Sequence, residues 1–312
     1  MKLHQTSGRW QLGLALSLFA VFLWGVLPIA LMVTLQVLDV YTVTWFRFLM
    51  AFSVLATYLA GRQQLPTLDK LRSASLKLLA IATIFLGLNY LFFQQGLLQT
   101  SPTTAEVLIQ LAPVLMGLGA LAVFKERYSL QQWIGLSVLT LGFALFFHGQ
   151  LKTIITAQTT YLIGNGILVL GAITWAIYAL AQKQLLQQLS SPTIMLIIYG
   201  GCALLLTPFT APQTLLMLSP LHWSMLLFCG LNTLMAYGAF AEALDHWEAS
   251  RVSAVLALCP LVTMVAVWAV SRLTPTLIPA ERLTILGVFG AILVVAGSVT
   301  IALGKNQSNK HR

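Results

Sequence analysis

The chain has 312 residues, of which 58% are hydrophobic and only 8% are charged, and its formal net charge is +9. A soluble domain has an apolar share nearer one half and a charged share of roughly a quarter, so the composition excludes a soluble protein and indicates an integral membrane protein. Lysines and arginines occur singly or in small groups at the ends of apolar runs, without a basic stripe, which argues against a nucleic-acid partner.

Apolar runs separated by short polar breaks predict membrane-spanning α-helices, since a helix of about 20 residues crosses a hydrocarbon core ~30 Å thick. Ten spans are predicted, at about residues 12–31, 41–60, 77–98, 103–124, 130–147, 161–181, 193–210, 223–243, 251–271 and 283–303. The first run follows Lys2 and Arg9, as a signal peptide would. It is longer than the ~7 to 15 apolar residues of a cleavable segment, so we interpret it as the first membrane helix.

A segment near residue 126 recurs, in degraded form, near the other end of the chain. A shift of 155 positions places Glu126 on Glu281, Arg127 on Arg282, Ser129 on Thr284, Gly135 on Gly290 and Gly142 on Gly297. Upstream, in the same order, Trp24 corresponds to Trp175, Gly87 to Gly230, Asn89 to Asn232, Tyr90 to Tyr237 and Pro113 to Pro260. The preserved order predicts an internal duplication. We predict a first half over residues 1–148, a polar connector over 149–160, a second half over 161–304 and a cytoplasmic tail over 305–312.

The distribution of lysine and arginine among the short loops predicts the orientation of the chain. With the N-terminus in the cytoplasm, the inner segments hold thirteen of these residues and the outer segments three, Lys152, Arg272 and Arg282, while Arg47 lies within a span. Both termini are therefore predicted to be cytoplasmic. Because each half has five spans, the halves are predicted to be inverted relative to each other, an architecture of many secondary transporters.

Several short motifs carry a family resemblance. They are Trp24-Gly25 with Pro28, Trp45-Phe46-Arg47-Phe48 with Ala51, and Pro113 followed by Glu126-Arg127 and Gly135. Together they resemble the EamA-type domain of the drug/metabolite transporter superfamily, and Trp175, Tyr178, Pro260, Glu281 and Gly290 resemble a second copy. The resemblance implies a ten-helix exporter of metabolites with a central cavity between the halves. This chain departs from the pattern between Pro260 and Glu281, where 21 positions replace the 13 between Pro113 and Glu126, which predicts a longer outer loop.

Glu106 is the sharpest functional candidate, because it lies a few residues inside the fourth span among apolar neighbours. An acid there costs ~2.5 to 3.5 kcal/mol on insertion scales, so it should face the protein interior or water. We predict that it binds substrate or takes up a coupling proton. The alternative is a structural ion pair with Arg47 or an interior acid held by hydrogen bonds. Gln110 lies one helical turn further along the same face.

Other candidates for a cavity lining lie within the spans. The polar ones are Asn89, Tyr90, Gln94 and Gln95 in the third span and Asn232 and Tyr237 in the eighth, and the aromatic ones are Trp24, Trp175 and Tyr178. Polar side chains also join membrane helices by hydrogen bonds, and aromatic ones by packing. Both interpretations remain open for this set.

Five residues are predicted to be structural or to act in gating: Arg47, Pro113, Pro260, Glu126 and Glu281. Arg47 could snorkel toward the outer interface and compensate charge. The two prolines interrupt the backbone hydrogen bonds of the fourth and ninth spans, as a hinge or as a static bend. The two glutamates precede arginines in polar turns, where they could cap or anchor helices or form exchanging ion pairs.

Nothing in the sequence indicates catalysis, a metal site or a bound cofactor. His148 and His222 lie far apart, no HExxH, Ser-His-Asp or Walker A pattern stands out, and the three cysteines lie in apolar spans. We therefore predict a secondary transporter and not an enzyme, in the plasma (cell inner) membrane. It would export small amphipathic metabolites such as amino acids by alternating access, with the lipid bilayer, a small-molecule substrate and protons as candidate partners. An uncoupled facilitator and a membrane scaffold without transport are the alternatives.

Overall fold

The computed structural model describes residues 9–66, 75–112, 115, 129–148, 159–185, 188–247, 252, 255–278, 281 and 284–304. These residues form ten α-helices of eight residues or more and no strand. The helices are α1 (Trp10–Thr34), α2 (Val40–Gly61), α3 (Leu76–Gln99), α4 (Pro102–Ile109), α5 (Leu130–Phe146), α6 (Thr159–Leu185), α7 (Ser191–Leu206), α8 (Pro220–His246), α9 (Cys259–Leu273) and α10 (Ile285–Leu303). Two 3-10 helices, Thr207–Phe209 and Pro212–Met217, connect α7 to α8.

Six of these helices are long and apolar enough to cross a membrane: Trp10–Thr34, Val40–Gly61, Leu76–Gln99, Thr159–Gln182, Ser191–Phe209 and Pro220–Phe240. Leu130–Phe146, Cys259–Leu273 and Ile285–Ile301 are shorter apolar helices. Large apolar side chains such as Leu204, Val265 and Ile285 are exposed on the outer faces of the bundle, where lipid would cover them. The protein is therefore an all-α, multi-pass membrane protein.

Hydroxyl side chains define where several helices begin. Ser129 accepts a hydrogen bond from the backbone N–H of Gln132, and the Gln132 side chain bonds back to the Ser129 N–H, which forms a capping box at the start of α5. Thr284 caps α10 by accepting a hydrogen bond from the Gly287 N–H. Since Thr284 corresponds to Ser129 in the repeat, the two positions have the same local structural role.

α5 and α10 approach each other to backbone contact, and glycines permit it. A Cβ on Gly142 would lie 2.5 Å from the Val294 nitrogen and 2.8 Å from the Gly290 oxygen, and one on Gly135 would lie 2.9 Å from the Gly297 oxygen. Small residues let membrane helices approach to backbone contact. Because Gly135 faces Gly297 while Gly142 faces Gly290, α5 and α10 run antiparallel.

Three further helix pairs join the two halves of the chain: α3 with α6, α1 with α8, and α2 with α7. The α2–α7 pair is antiparallel as well, since Trp45 lies against Thr207 while Phe52 lies against Gly200. In the repeat, helices α1 to α5 correspond in order to helices α6 to α10. When each helix is replaced by its counterpart, the α3–α6 pair becomes the α8–α1 pair, while the α2–α7 and α5–α10 pairs stay the same. The helix pairing therefore has a two-fold pattern.

The predicted fourth and ninth spans differ from the helices in the structure. α4 ends at Ile109 with Gln110 in a turn, and α9 begins only at Cys259, after a turn at Ala257 and Leu258. Pro260 thus lies in the first turn of α9, where its missing N–H costs nothing, directly after the break that separates α9 from the helical residues Val255 and Leu256. Its role as a hinge or a static bend stays a prediction. Pro113 lies outside the described residues.

We expect Gly142→Ala to destabilise the protein by about 1–3 kcal/mol, because the new methyl group meets backbone atoms of α10 that cannot rotate away. Thermal unfolding in detergent, followed by size-exclusion chromatography, measures the effect. Gly238→Ala in α8 is the matched control, since a Cβ there has no atom within 4 Å. Equal melting temperatures for both variants would contradict close packing of α5 on α10.

Candidate functional site

Glu106 is buried in α4, and no residue that the structure describes is a partner of its carboxylate. The helix begins where Ser101 accepts a hydrogen bond from the Thr104 N–H, and Glu106 follows one turn later with 6% of its surface exposed. Among the described residues, none donates a hydrogen bond to this carboxylate or pairs with it. The ion pair with Arg47 that the sequence left open is therefore not formed.

The carboxylate of Glu106 lies where two interrupted helices meet. Gln110 is buried at the C-terminal cap of α4, one turn beyond Glu106. α4 packs against α9, which begins at Cys259. Secondary transporters commonly build their substrate and ion sites at such discontinuous helices. The structure thus places Glu106 and Gln110 in a setting suited to binding.

Arg47 is buried in α2 with 3% of its surface exposed and does not snorkel toward the outer interface. Its Nε donates a hydrogen bond of 3.0 Å to Thr233 Oγ1 on α8. Its guanidinium carbon lies 4.4 Å from the centroid of the Tyr90 ring on α3, a distance typical of cation–π interactions. The cation is therefore held inside the protein, between elements of both halves.

Four tyrosines, Tyr90, Tyr178, Tyr199 and Tyr237, lie in this region. The first three are almost completely buried. Tyr90 Oη lies close to Thr233 and Tyr237, yet it makes no hydrogen bond of regular geometry within the described part of the chain. The Tyr199 hydroxyl donates to the Thr233 backbone oxygen at 3.3 Å. Sequence reasoning missed Tyr199 and Thr233, because neither takes part in the repeat pattern.

The predicted tryptophans pack against this aromatic region. The ring of Trp24 meets that of Tyr237 edge-on with centroids 5.2 Å apart, and Trp175 meets Tyr178 at 6.5 Å. Both tryptophans are half-buried. The repeat partners Trp24 and Trp175 therefore each contact a tyrosine, Tyr237 from the second half and Tyr178 from its own helix.

The predicted amides form hydrogen bonds between helices. Asn89 Nδ2 on α3 donates to the Gly171 oxygen on α6 at 2.9 Å, and Asn232 Nδ2 on α8 donates to the Leu23 oxygen on α1 at 2.6 Å. Each asparagine of the repeat thus bonds to the opposite half. A role in substrate binding for this pair stays a prediction.

Gln94 and Gln95 differ in their surroundings. Gln94 Nε2 donates to Thr44 Oγ1 at 2.7 Å, which joins α3 to α2, while Gln94 Oε1 is buried without a partner among the described residues. Gln95 is half-buried. The free oxygen of Gln94 leaves one acceptor for a ligand.

Glu281 lies outside the helices, just before α10, and contacts the start of α4. Its Oε1 accepts a hydrogen bond of 3.2 Å from the Thr103 N–H. Burial raises the pKa of Glu281, and the hydrogen bonds from Thr103 and Ser101 lower it by less. With Trp268 and Arg272, among others, it lines a cavity of about 500 Å³ between α4, α9 and α10. Glu126, its repeat partner, lies outside the described residues.

Comparisons with known proteins agree with this architecture. The model of the EamA-like transporter family matches twice, over residues 11–148 and 162–303. The uncharacterized inner membrane transporter YhbE of Escherichia coli K12 is 39% identical over 296 residues, which cover 94% of this chain and 92% of that protein.

Two more distant matches are a named efflux pump and a solved crystal structure. A probable amino-acid metabolite efflux pump of Salmonella typhimurium is 24% identical over 196 residues, which cover 58% of this chain and 60% of the pump. A crystal structure with 14% sequence identity has the same fold, with a TM-score of 0.63 and coverage of 93% of this chain and 96% of that one. From the family match over both halves, the chain belongs to the EamA-like transporter family.

Proposed function

We propose that the protein is a ten-helix secondary transporter built from two inverted five-helix halves, with residues 149–160 as the connector. Two separate family matches, one in each half, support this organisation. So do the two-fold pattern of helix pairs and the antiparallel contact of the repeat glycines in α5 and α10. Related halves of opposite orientation can exchange conformations about a central site, which is the basis of alternating access.

The proposed activity is export of small amphipathic metabolites, with amino acids as the first class to test. The name of the Salmonella relative supports this class, and the aromatic surroundings of Arg47 and Tyr90 suit a substrate with an apolar body. The lysine and arginine distribution supports cytoplasmic termini. Membership of a transporter family and the lack of a nucleotide-binding motif point to a gradient as the energy source.

The observation that carries the mechanism is the buried carboxyl group of Glu106, which has no partner in the described part of the chain. An ionisable residue inside a membrane bundle is costly and marks an ion or substrate pathway by default. At Glu106 that cost is not offset by a described cation or hydrogen-bond donor. A carboxyl that alternates between a protonated and an ionised form can exchange a proton for substrate. Proton coupling through Glu106 is thus part of the proposal.

We expect Glu106→Gln to abolish accumulation driven by a pH gradient in proteoliposomes while exchange of substrate across the membrane continues, because the amide cannot carry a proton. A resistance screen with amino acids and their analogues in overexpressing cells first identifies the substrate. Glu242→Gln is the control, since the Glu242 side chain is 59% exposed. Unchanged accumulation by Glu106→Gln under a pH gradient would rule out proton coupling through this residue. If the wild-type protein never accumulates substrate against its concentration gradient, the protein is an uncoupled facilitator.

The inverted arrangement predicts opposite accessibility for matching loops. Gln64 follows the second helix, and Gln213 follows the seventh; both are exposed. We expect Gln64→Cys to react with an impermeant thiol reagent only from the cytoplasmic side and Gln213→Cys only from the outer side. The native Cys202, Cys229 and Cys259 are buried and provide a low background. Reaction of both introduced cysteines from one side would contradict the inverted repeat.

The raised pKa of Glu281 predicts how the stability of the protein depends on pH. The folded state holds the proton more tightly than the unfolded chain, so this group favours folding at acidic pH, and the contribution is lost as pH rises through the folded pKa. Glu281→Gln keeps an acceptor for the Thr103 N–H but cannot ionise. We expect it to melt at a higher temperature than wild type near pH 8 and at the same temperature near pH 4. A variant that melts lower than wild type near pH 8 would contradict this assignment.

A further inference from the structure

Arg47 is a buried cation to which the proposed transport cycle so far assigns no role. We propose that the Arg47 guanidinium binds the carboxylate of the transported substrate, at the contact between α2, α3 and α8. The ligand class is a monovalent carboxylate with an apolar body. This inference rests on the proposed function and names the substrate chemistry of the same transporter.

The positive charge of Arg47 is not neutralised by the carboxylates whose side chains the structure describes. Asp39 accepts hydrogen bonds at the N-terminus of α2, Glu242 pairs with His246, Glu281 bonds to Thr103, and Glu106 has no contact with Arg47. Asp245 lies 12 residues beyond Thr233 on α8, about 18 Å along the helix axis. An isolated charge inside a membrane protein is costly, so an anionic ligand would relieve that cost.

The guanidinium has hydrogen-bond donors for which the described part of the chain provides no acceptor. Arginine carries five N–H donors in a planar fork, and in this structure Nε donates to Thr233 Oγ1. The N–H groups of the two terminal nitrogens have no acceptor among the described residues. A carboxylate matches two of these donors at once, with a bidentate geometry that an uncharged amide or alcohol cannot reproduce.

The aromatic side chains around Arg47 indicate which groups the ligand carries besides its carboxylate. Tyr90 covers one face of the guanidinium at 4.4 Å, and the Tyr90 ring packs on Phe48 with centroids 4.5 Å apart. Phe48 in turn lies 6.0 Å from the Tyr199 ring. The Tyr90 ring thus covers one face of the guanidinium, whereas the terminal N–H groups at its edge have no acceptor among the described residues. An aromatic wall beside one positive charge suits a hydrophobic monoanion, whereas a phosphate would bring a second negative charge without a second described cation.

The position of Arg47 also links binding to movement between the halves. Arg47 belongs to the first half and Thr233 to the second, and Tyr199 holds the Thr233 backbone oxygen. A carboxylate held by the terminal nitrogens would share the guanidinium with the hydrogen bond from Nε to Thr233. Substrate would therefore bind directly beside a contact between the halves, which alternating access has to rearrange.

The first test needs no variant. Purified protein in lipid nanodiscs is titrated with 3-phenylpropionate and L-phenylalanine and, as controls in which an amide replaces the carboxylate, with 3-phenylpropionamide and L-phenylalaninamide, while thermal unfolding is recorded. We expect the two carboxylates to raise the melting temperature at millimolar concentration and the two amides to bind at least about tenfold more weakly. Equal responses to acids and amides, or no response to either acid, would overturn the inference.

Variants of Arg47 assign the effect to this residue. Arg47→Lys keeps the charge but loses the fork, and we expect carboxylate affinity to fall at least about tenfold. Arg47→Met should abolish the carboxylate response while the ligand-free protein melts no lower than wild type, because the removed charge has no described counterion. Carboxylate binding with wild-type affinity in both variants would overturn the assignment. If Arg47→Met does not fold, wild-type affinity in Arg47→Lys alone would overturn it.

Flux measurements separate this inference from the proposed function. Carboxylate binding that depends on Arg47, without saturable flux of any bound acid in proteoliposomes, supports the site and removes the transporter proposal. Saturable flux of acids and amides at equal rates, unaffected by Arg47→Lys, supports the transporter and removes the site.

Discussion

The structure depends on one constraint of the bilayer: polar groups inside it cannot bond to water and must find partners within the protein. In this chain many of these partners lie in the opposite half. Asn89 and Asn232 each donate to a backbone oxygen of the other half, and Thr263 on α9 donates to the Gly25 oxygen on α1 at 2.6 Å. The same groups that satisfy this constraint therefore hold the two halves together.

The contacts between the halves are of two kinds. α5 and α10 meet backbone to backbone along their glycines, a contact that tolerates no added atom. α4 and α9, by contrast, meet at interrupted ends, where turns at Gln110 and at Ala257 and Leu258 break the helices. A backbone contact of the first kind resists sliding, whereas a helix break leaves soft dihedral angles. The proposed transport cycle would then pivot on the glycine contact and rearrange at the breaks.

Glu106 and Arg47 are exceptions to the general rule that buried charges are paired. Each belongs to the first half and is almost fully buried, and neither pairs with a described group of opposite charge. A protein that only needed to be stable could replace either residue by an apolar one at a gain. Retained charges of opposite sign suit a transporter that handles a proton and an anion. Family membership establishes transport as the class of function, while these two residues supply the chemistry of the proposal.

The linear sequence determined the all-α membrane class and several of the long apolar segments, because hydrophobic length is visible without coordinates. The order of the shared residues predicted the repeat. Helices α1, α2, α3 and α5 begin and end within a few residues of their predicted spans. Ser129 and Thr284, which the repeat places at corresponding positions, cap α5 and α10 in the structure. Tertiary structure alone decided which side chains meet. It kept Arg47 from Glu106, and it brought Tyr199 and Thr233 together beside Arg47. Arg47 and Thr233 are 186 positions apart, and no local pattern records such a contact, because apolar helices of similar composition can pack together in many ways.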